Sequence, residues 1–155
     1  MENKKFLLPR FFRHVGLVLS ILAAVMSVVR FGAGYKPEWL EVKVFVVYAA
    51  YLQTSEFRFI TNNISEEICG ITMLLGLFFL AFSRFREETA ETWAIRTRAF
   101  VYAFYLLTAI LLFCMLFIYG WGFLMVMTVN LVLYLLLYDV FLYWLFFRRK
   151  ASLNE

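Results

Sequence analysis

Residues 84–98 form the only strongly charged run inside the chain, and they separate two apolar segments, 68–83 and 99–119. Arg84, Arg86, Arg96 and Arg98 lie in this connection, interleaved with Glu87, Glu88 and Glu91. Moving guanidinium groups across a bilayer is costly, so a short arginine-rich link between two membrane-length runs marks the cytoplasmic side. Every other span follows from it by alternation.

The remaining charge agrees with that placement. Lys4, Lys5, Arg10 and Arg13 precede the first apolar run, and Arg148, Arg149 and Lys150 follow the last. These two zones and the 84–98 connection are expected to share one face. With 64% hydrophobic residues against about 45–50% in soluble chains, the 155 residues are predicted to form one membrane domain. The net charge of +4 is accounted for by anionic lipid headgroups, so the lipid bilayer is the expected partner and nucleic acid is not. Cys69 and Cys114 show neither a CxxC motif nor metal-ligand spacing. A disulfide between them is geometrically open, and buried free thiols are the favoured state. No metal or cofactor is expected. The single histidine, His14, adjoins Arg13 and is read as part of the basic anchor.

Taken in order, the chain predicts four spans. The first covers about 14–31 and is read as uncleaved, although its basic start and apolar run resemble a signal peptide. Gly16, Ser20 and Ala24 recur along it at four-residue spacing, with Ala23 and Ser27 alongside, a stripe of small residues that lets helix backbones approach closely. Packing within one bundle is favoured over a homodimer seam. Residues 32–63 contain only nine continuous apolar positions, 44–52, too few for a span of about 20. Leu40, Val42, Val44 and Val46 alternate with Glu41, Lys43 and Phe45, which predicts strands in a hairpin-like extracytoplasmic cap over the helix ends. An amphipathic or re-entrant helix is the alternative.

The second span, about 65–85, opens with Asn63-Ile64-Ser65-Glu66, the pattern of a helix N-cap followed by a carboxylate. Glu66 and Glu67 are expected to serve the helix dipole rather than to bind a cation or act as an acid/base pair. The 84–98 connection contains no Gly or Pro and is predicted to continue as helix, with an Arg84–Glu88 pair. A solvated turn is favoured over a cytoplasmic docking surface made of Arg84, Arg86, Glu87, Glu88, Glu91, Arg96 and Arg98. The third span covers about 99–119, Gly120-Trp121-Gly122 reverses the chain, and the fourth covers about 123–147. That last span carries Asn130 and Asp139, the candidate intramembrane polar site, because ionisable groups in spans usually face a bundle interior or a wet cavity. Asn130 is expected to make an interhelical hydrogen bond.

Several stretches carry a resemblance. They are Asn62-Asn63-Ile64-Ser65-Glu66-Glu67-Ile68 with Gly70, Ala81-Phe82-Ser83-Arg84 followed by an acidic cluster, and Ile95-Arg96. The run from Tyr119-Gly120-Trp121-Gly122-Phe123 through Met127 to Asn130 completes the set. Over about residues 60–147 the chain resembles a family of small, uncharacterised four-helix inner-membrane proteins of Bacteroidota. The resemblance implies a bacterial inner membrane and no activity.

The expected fold is thus all-α and integral to the membrane: a four-helix bundle with both termini cytoplasmic and a small β-hairpin-like insertion between spans one and two. The expected function is non-enzymatic, through helix packing with itself or with another membrane protein, as an accessory or regulatory subunit. A small oligomeric transporter or channel using Asp139 and Asn130 is the alternative. An enzyme ranks third, since no clustered His, Asp or Glu stands at fixed spacing.

Overall fold

The computed structural model describes residues 6–50, 54–86 and 88–152, with side chains at 46–50, 54–56, 58, 121, 151 and 152 left aside. Four helices dominate: α1 (Phe11–Ser27), α2 (Ser65–Phe82), α3 (Ala90–Phe117) and α4 (Trp121–Ser152). All four are long and apolar enough to cross a membrane, α1 being counted with the π-helical turn Val28–Gly32 that extends it. Phe104, Tyr105, Phe113, Leu116, Phe117 and Met125 are among the many large apolar side chains left exposed. Water would not tolerate so continuous an apolar surface. Lipid tails would.

Between α1 and α2 the period-two pattern folds as expected. Strands β1 (Glu41–Ala50) and β2 (Thr54–Asn63) pair antiparallel, with Val44 opposite Ile60 and Phe45 opposite Phe59. The Phe45 and Phe59 rings meet edge to face at 5.3 Å. Phe45, Phe57 and Phe59 are all exposed, so among the described side chains the aromatic positions project outward. At the base of the hairpin Ile64 donates its N–H to the Leu40 carbonyl at 3.1 Å, and Asn62 Nδ2 of β2 donates to Glu67 Oε1 of α2 at 3.1 Å.

The helices pack in the succession α1–α2–α4–α3, with α2 and α4 central. The core lies toward one end: Leu77, Ala81, Phe85, Ile95, Ala99, Ala103, Leu135, Tyr138 and Leu142 form one buried cluster. That end also gathers the charge, because Arg10 donates to the Phe85 and Arg86 carbonyls and Arg149 pairs with Glu91. The described residues of the three basic zones therefore meet at one end, and the β-hairpin stands at the other.

The seam between α1 and α2 is built from small residues, but not at the four-residue spacing. Gly16, Ala23 and Arg30 are buried at seven-residue intervals, with Ser20 and Ser27 half-buried between them. On α2 and just beyond it, Cys69, Gly76 and Ser83 are buried at the same interval. A seven-residue repeat keeps one stripe facing its partner along the whole contact. Ala24, expected in the stripe, is exposed, and Ala23 takes its place. At the hairpin end the π-helical turn carries Arg30 into the seam, where it donates to Ser65 Oγ at 3.1 Å and pairs with Glu66. Glu66 is thus an ion-pair partner rather than a cap. The local turn at the helix start comes instead from Asn63, whose Oδ1 accepts from the Ser65 N–H at 3.2 Å. Arg30→Ala should lower the thermal midpoint of the purified protein in detergent, while Glu66→Gln, which keeps an acceptor on an exposed residue, should lower it less. Equal losses would show that the charge of Glu66 holds Arg30 rather than its hydrogen bonding.

Candidate functional site

At the charged end, the described residues of the 83–89 stretch are not helical, contrary to the expectation drawn from their lack of Gly and Pro. Their backbone groups are satisfied from elsewhere. Leu8 pairs with this stretch in a short parallel bridge, donating to the Phe82 carbonyl at 2.9 Å and accepting from Arg84 N at 3.1 Å. Phe85 N donates to Glu88 Oε1 at 2.8 Å. Thr89 then caps α3 reciprocally with Thr92: each backbone N–H donates to the other's hydroxyl, at 2.8 and 3.3 Å.

Arg96 holds this turn. From the first turns of α3 it donates to the Ala81 carbonyl at 2.8 Å, the Ser83 carbonyl at 2.7 Å and Glu88 Oε1 at 3.0 Å. Both members of the Arg96–Glu88 pair are buried, at 6% and 7% side-chain exposure. Phe85 lies beneath as a platform for cations: the Arg96 guanidinium is 4.8 Å from its ring centroid and that of Arg13 is 4.7 Å. Phe146 stacks on the same ring at 4.5 Å.

The expected docking surface accordingly divides. Arg96 and Glu88 are internal, and they pair with each other. Arg86, Glu91 and Arg98 are exposed, and Arg84 is half-buried. Glu87 lies outside the described residues.

Asp139 occupies the floor of a groove of about 590 Å³ lined by Arg13, His14 and Leu17 of α1, Leu80 of α2, and Val140 and Tyr143 of α4. The groove exists because α1 packs on α2 rather than on α4. Asp139 is only 5% exposed, yet neither carboxylate oxygen has a hydrogen-bond partner among the described residues. Arg13, which shares the groove, stands over the rings of Phe85 and Tyr143, at 4.7 and 5.0 Å. A buried polar group without a partner costs the full loss of its hydration.

Asn130 does not join this site. Nine residues separate it from Asp139, two and a half turns at about 3.6 residues per turn, so the two project from opposite sides of α4. Asn130 is half-buried and makes no interhelical hydrogen bond among the described residues. Cys69 and Cys114 are buried free thiols, and no group of three or more His, Cys, Asp or Glu suited to a metal occurs among the described residues. Sequence reasoning singled out Asp139, and Arg96 only as part of a surface; it gave no sign of the contacts that Arg13, Arg30 and Arg96 make. Only the Thr89–Thr92 capping pair left a readable local sign of where the turn ends. The chain matches no family model, no curated protein and no solved structure.

Proposed function

We propose that this chain is a multi-pass protein of a bacterial inner membrane that acts without catalysis, as a subunit holding a helix of another membrane protein. The convergence of Arg10, Arg13, the 83–89 turn and Arg148–Lys150 at one end supports a cytoplasmic placement for that end and for both termini, with the β-hairpin on the opposite side. The resemblance noted in the sequence supports the same membrane.

One observation carries the functional reading: the Asp139 carboxylate, buried and unpartnered at the floor of the open α1–α4 groove. In hydrocarbon such a group is expensive and finds a partner. A partner helix lying in the groove and bringing a hydroxyl, amide or amine to Asp139 satisfies it, and Leu17, Leu80 and Val140 offer that helix an apolar wall. The small-residue stripe that would have made a homodimer seam is spent between α1 and α2. A transport path through Asp139 and Asn130 has less support, because the two face opposite ways on α4.

In the test, Val140→Cys carries a short crosslinker in native membranes, and the complex is then weighed by native mass spectrometry. A partner crosslinked at fixed stoichiometry, and lost when Asp139→Leu is added, is the expected result. A crosslink that survives Asp139→Leu, or one only to lipid, sinks the reading. Orientation is checked separately. Lys43→Cys, with both native cysteines replaced, should react with an impermeant thiol reagent in intact spheroplasts; reaction only after lysis would invert the topology.

A further inference from the structure

A second cavity, of about 430 Å³, opens at the charged end between the start of α1, the 83–89 turn, the start of α3 and the end of α4. Four cations line it: Arg13, Arg86, Arg149 and Lys150. They come from three separate stretches of chain, so no local sequence pattern explains their meeting. Arg86 and Lys150 are exposed, Arg13 and Arg149 half-buried. Four like charges around one hollow repel one another, and a bound anion relieves that repulsion.

The hollow has features of a site for phosphate in particular. It lies at the N-terminus of the 28-residue helix α3, where the helix dipole favours negative charge. Thr89 lines it, and its hydroxyl oxygen accepts from Thr92 N, leaving the hydroxyl proton to donate. Its remaining wall is apolar, the stacked rings of Phe85 and Phe146. A free inorganic anion has no use for that wall. The glycerol and upper acyl carbons of a phospholipid do.

Among the described residues, two carboxylates stand near the hollow: Glu88, bonded to the lining Phe85 N and Thr92 hydroxyl, is already neutralised by Arg96, and Glu91 opposes the positive field through its ion pair with Arg149. Glu91 is exposed, so this competing pair is weak in water and yields to a ligand that engages Arg149 directly.

We infer that the Arg13–Arg86–Arg149–Lys150 hollow is a binding site for the headgroup of an anionic phospholipid. The phosphate sits among the four cations, and the glycerol backbone rests against Phe85 and Phe146. The site is distinct from the Asp139 groove and does not depend on the partner proposed for it. Arg13 borders both, so lipid bound here would also fix the side chain at the groove's mouth.

The test uses the full chain in nanodiscs of phosphatidylcholine alone or with phosphatidylglycerol, reading the thermal midpoint and the lipids retained in native mass spectrometry. The wild type should retain phosphatidylglycerol in preference to phosphatidylcholine and gain thermal stability from it. Arg86→Gln with Lys150→Gln should weaken that retention about 25-fold, about five-fold for each basic residue near a charged surface, while leaving the midpoint in phosphatidylcholine unchanged. Glu91→Gln should tighten it by freeing Arg149. Equal retention of the two lipids by the wild type would overturn the inference. So would inorganic phosphate protecting the detergent-solubilised protein as well as phosphatidylglycerol does, which would make this a free-anion site. If the double variant fails to fold, Glu91→Gln decides alone: unchanged phosphatidylglycerol affinity overturns the site.

Discussion

Arg96→Ala should destabilise the charged end by about 3–5 kcal/mol, the range for removing one member of a buried ion pair. Its guanidinium serves three acceptors at once: the Ala81 and Ser83 carbonyls and the Glu88 carboxylate. Without it, Glu88 is a buried charge with no counter-ion, and the carbonyls left open by the end of α2 lose their donors. Phe85 also loses one of its two stacked guanidinium groups. Arg96→Lys should recover only part of the loss, because an ammonium is a point donor and cannot reproduce the planar fork of guanidinium. Replacing both charges by apolar residues, Arg96→Met with Glu88→Leu, should recover more than either single change, since buried pairs are often replaceable by apolar ones. Recovery stays incomplete, because Phe85 N and the Thr92 hydroxyl also bond to Glu88. Denaturant unfolding in mild detergent gives the four corners of this cycle. An Arg96→Ala protein within about 1 kcal/mol of wild type, a normal net contribution for a single hydrogen bond, would show that Arg96 does not organise the turn.

What the sequence made legible were the features written in periodicity and charge. Four apolar runs became four helices, and the alternation around Val42–Val46 became β1. The charged run did mark a turn between two of those helices. Its second part, 90–98, is helical as expected and opens α3, but the described residues of 84–89 are not, because the absence of Gly and Pro permits a helix without requiring one. The competing bonds came from Leu8 and Arg10, more than seventy residues away in sequence, and no local pattern records such partners. The stripe on α1 was read at a spacing of four, which drifts off a packed seam, whereas 16, 23 and 30 hold a repeat of seven and point to Ala23 and Arg30. Testing that template would have placed Arg30 in the seam. Asp139 was visible as an acid in an apolar run. The groove that gives it meaning follows from the succession α1–α2–α4–α3, which depends on tertiary packing.

The second large effect is expected at the α1–α2 crossing. A Cβ on Gly76 would stand 2.6 Å from Ser20 Oγ and 2.7 Å from Ser20 N, and one on Gly16 would stand 2.8 Å from the Gly76 carbonyl and 2.9 Å from Leu80 N. Those are largely backbone contacts, so rotating a side chain cannot relieve them and the helices must move apart. Gly76→Ala and Gly16→Ala should therefore each cost about 1–3 kcal/mol by overpacking, and larger residues more. The two sites share one contact, so their effects should not add. Gly70, on the same helix as Gly76, is the control, because a Cβ there would meet nothing within 4 Å. Gly70→Ala should be neutral or stabilising by up to about 1 kcal/mol from helix propensity. The comparison also separates the two roles considered for the stripe. A seam between copies of the chain would leave the unfolding of the monomer unchanged in Gly16→Ala while altering the mass of the assembly. A seam within the chain does the reverse, lowering the thermal midpoint at constant mass and widening the gap between α1 and α2. Wider separation there would carry Arg13 and Leu17 away from Tyr143 and Val140, so damage at Gly16 should also reach the Asp139 groove. Gly16→Ala should then weaken crosslinking from Val140→Cys even though neither glycine lines that groove.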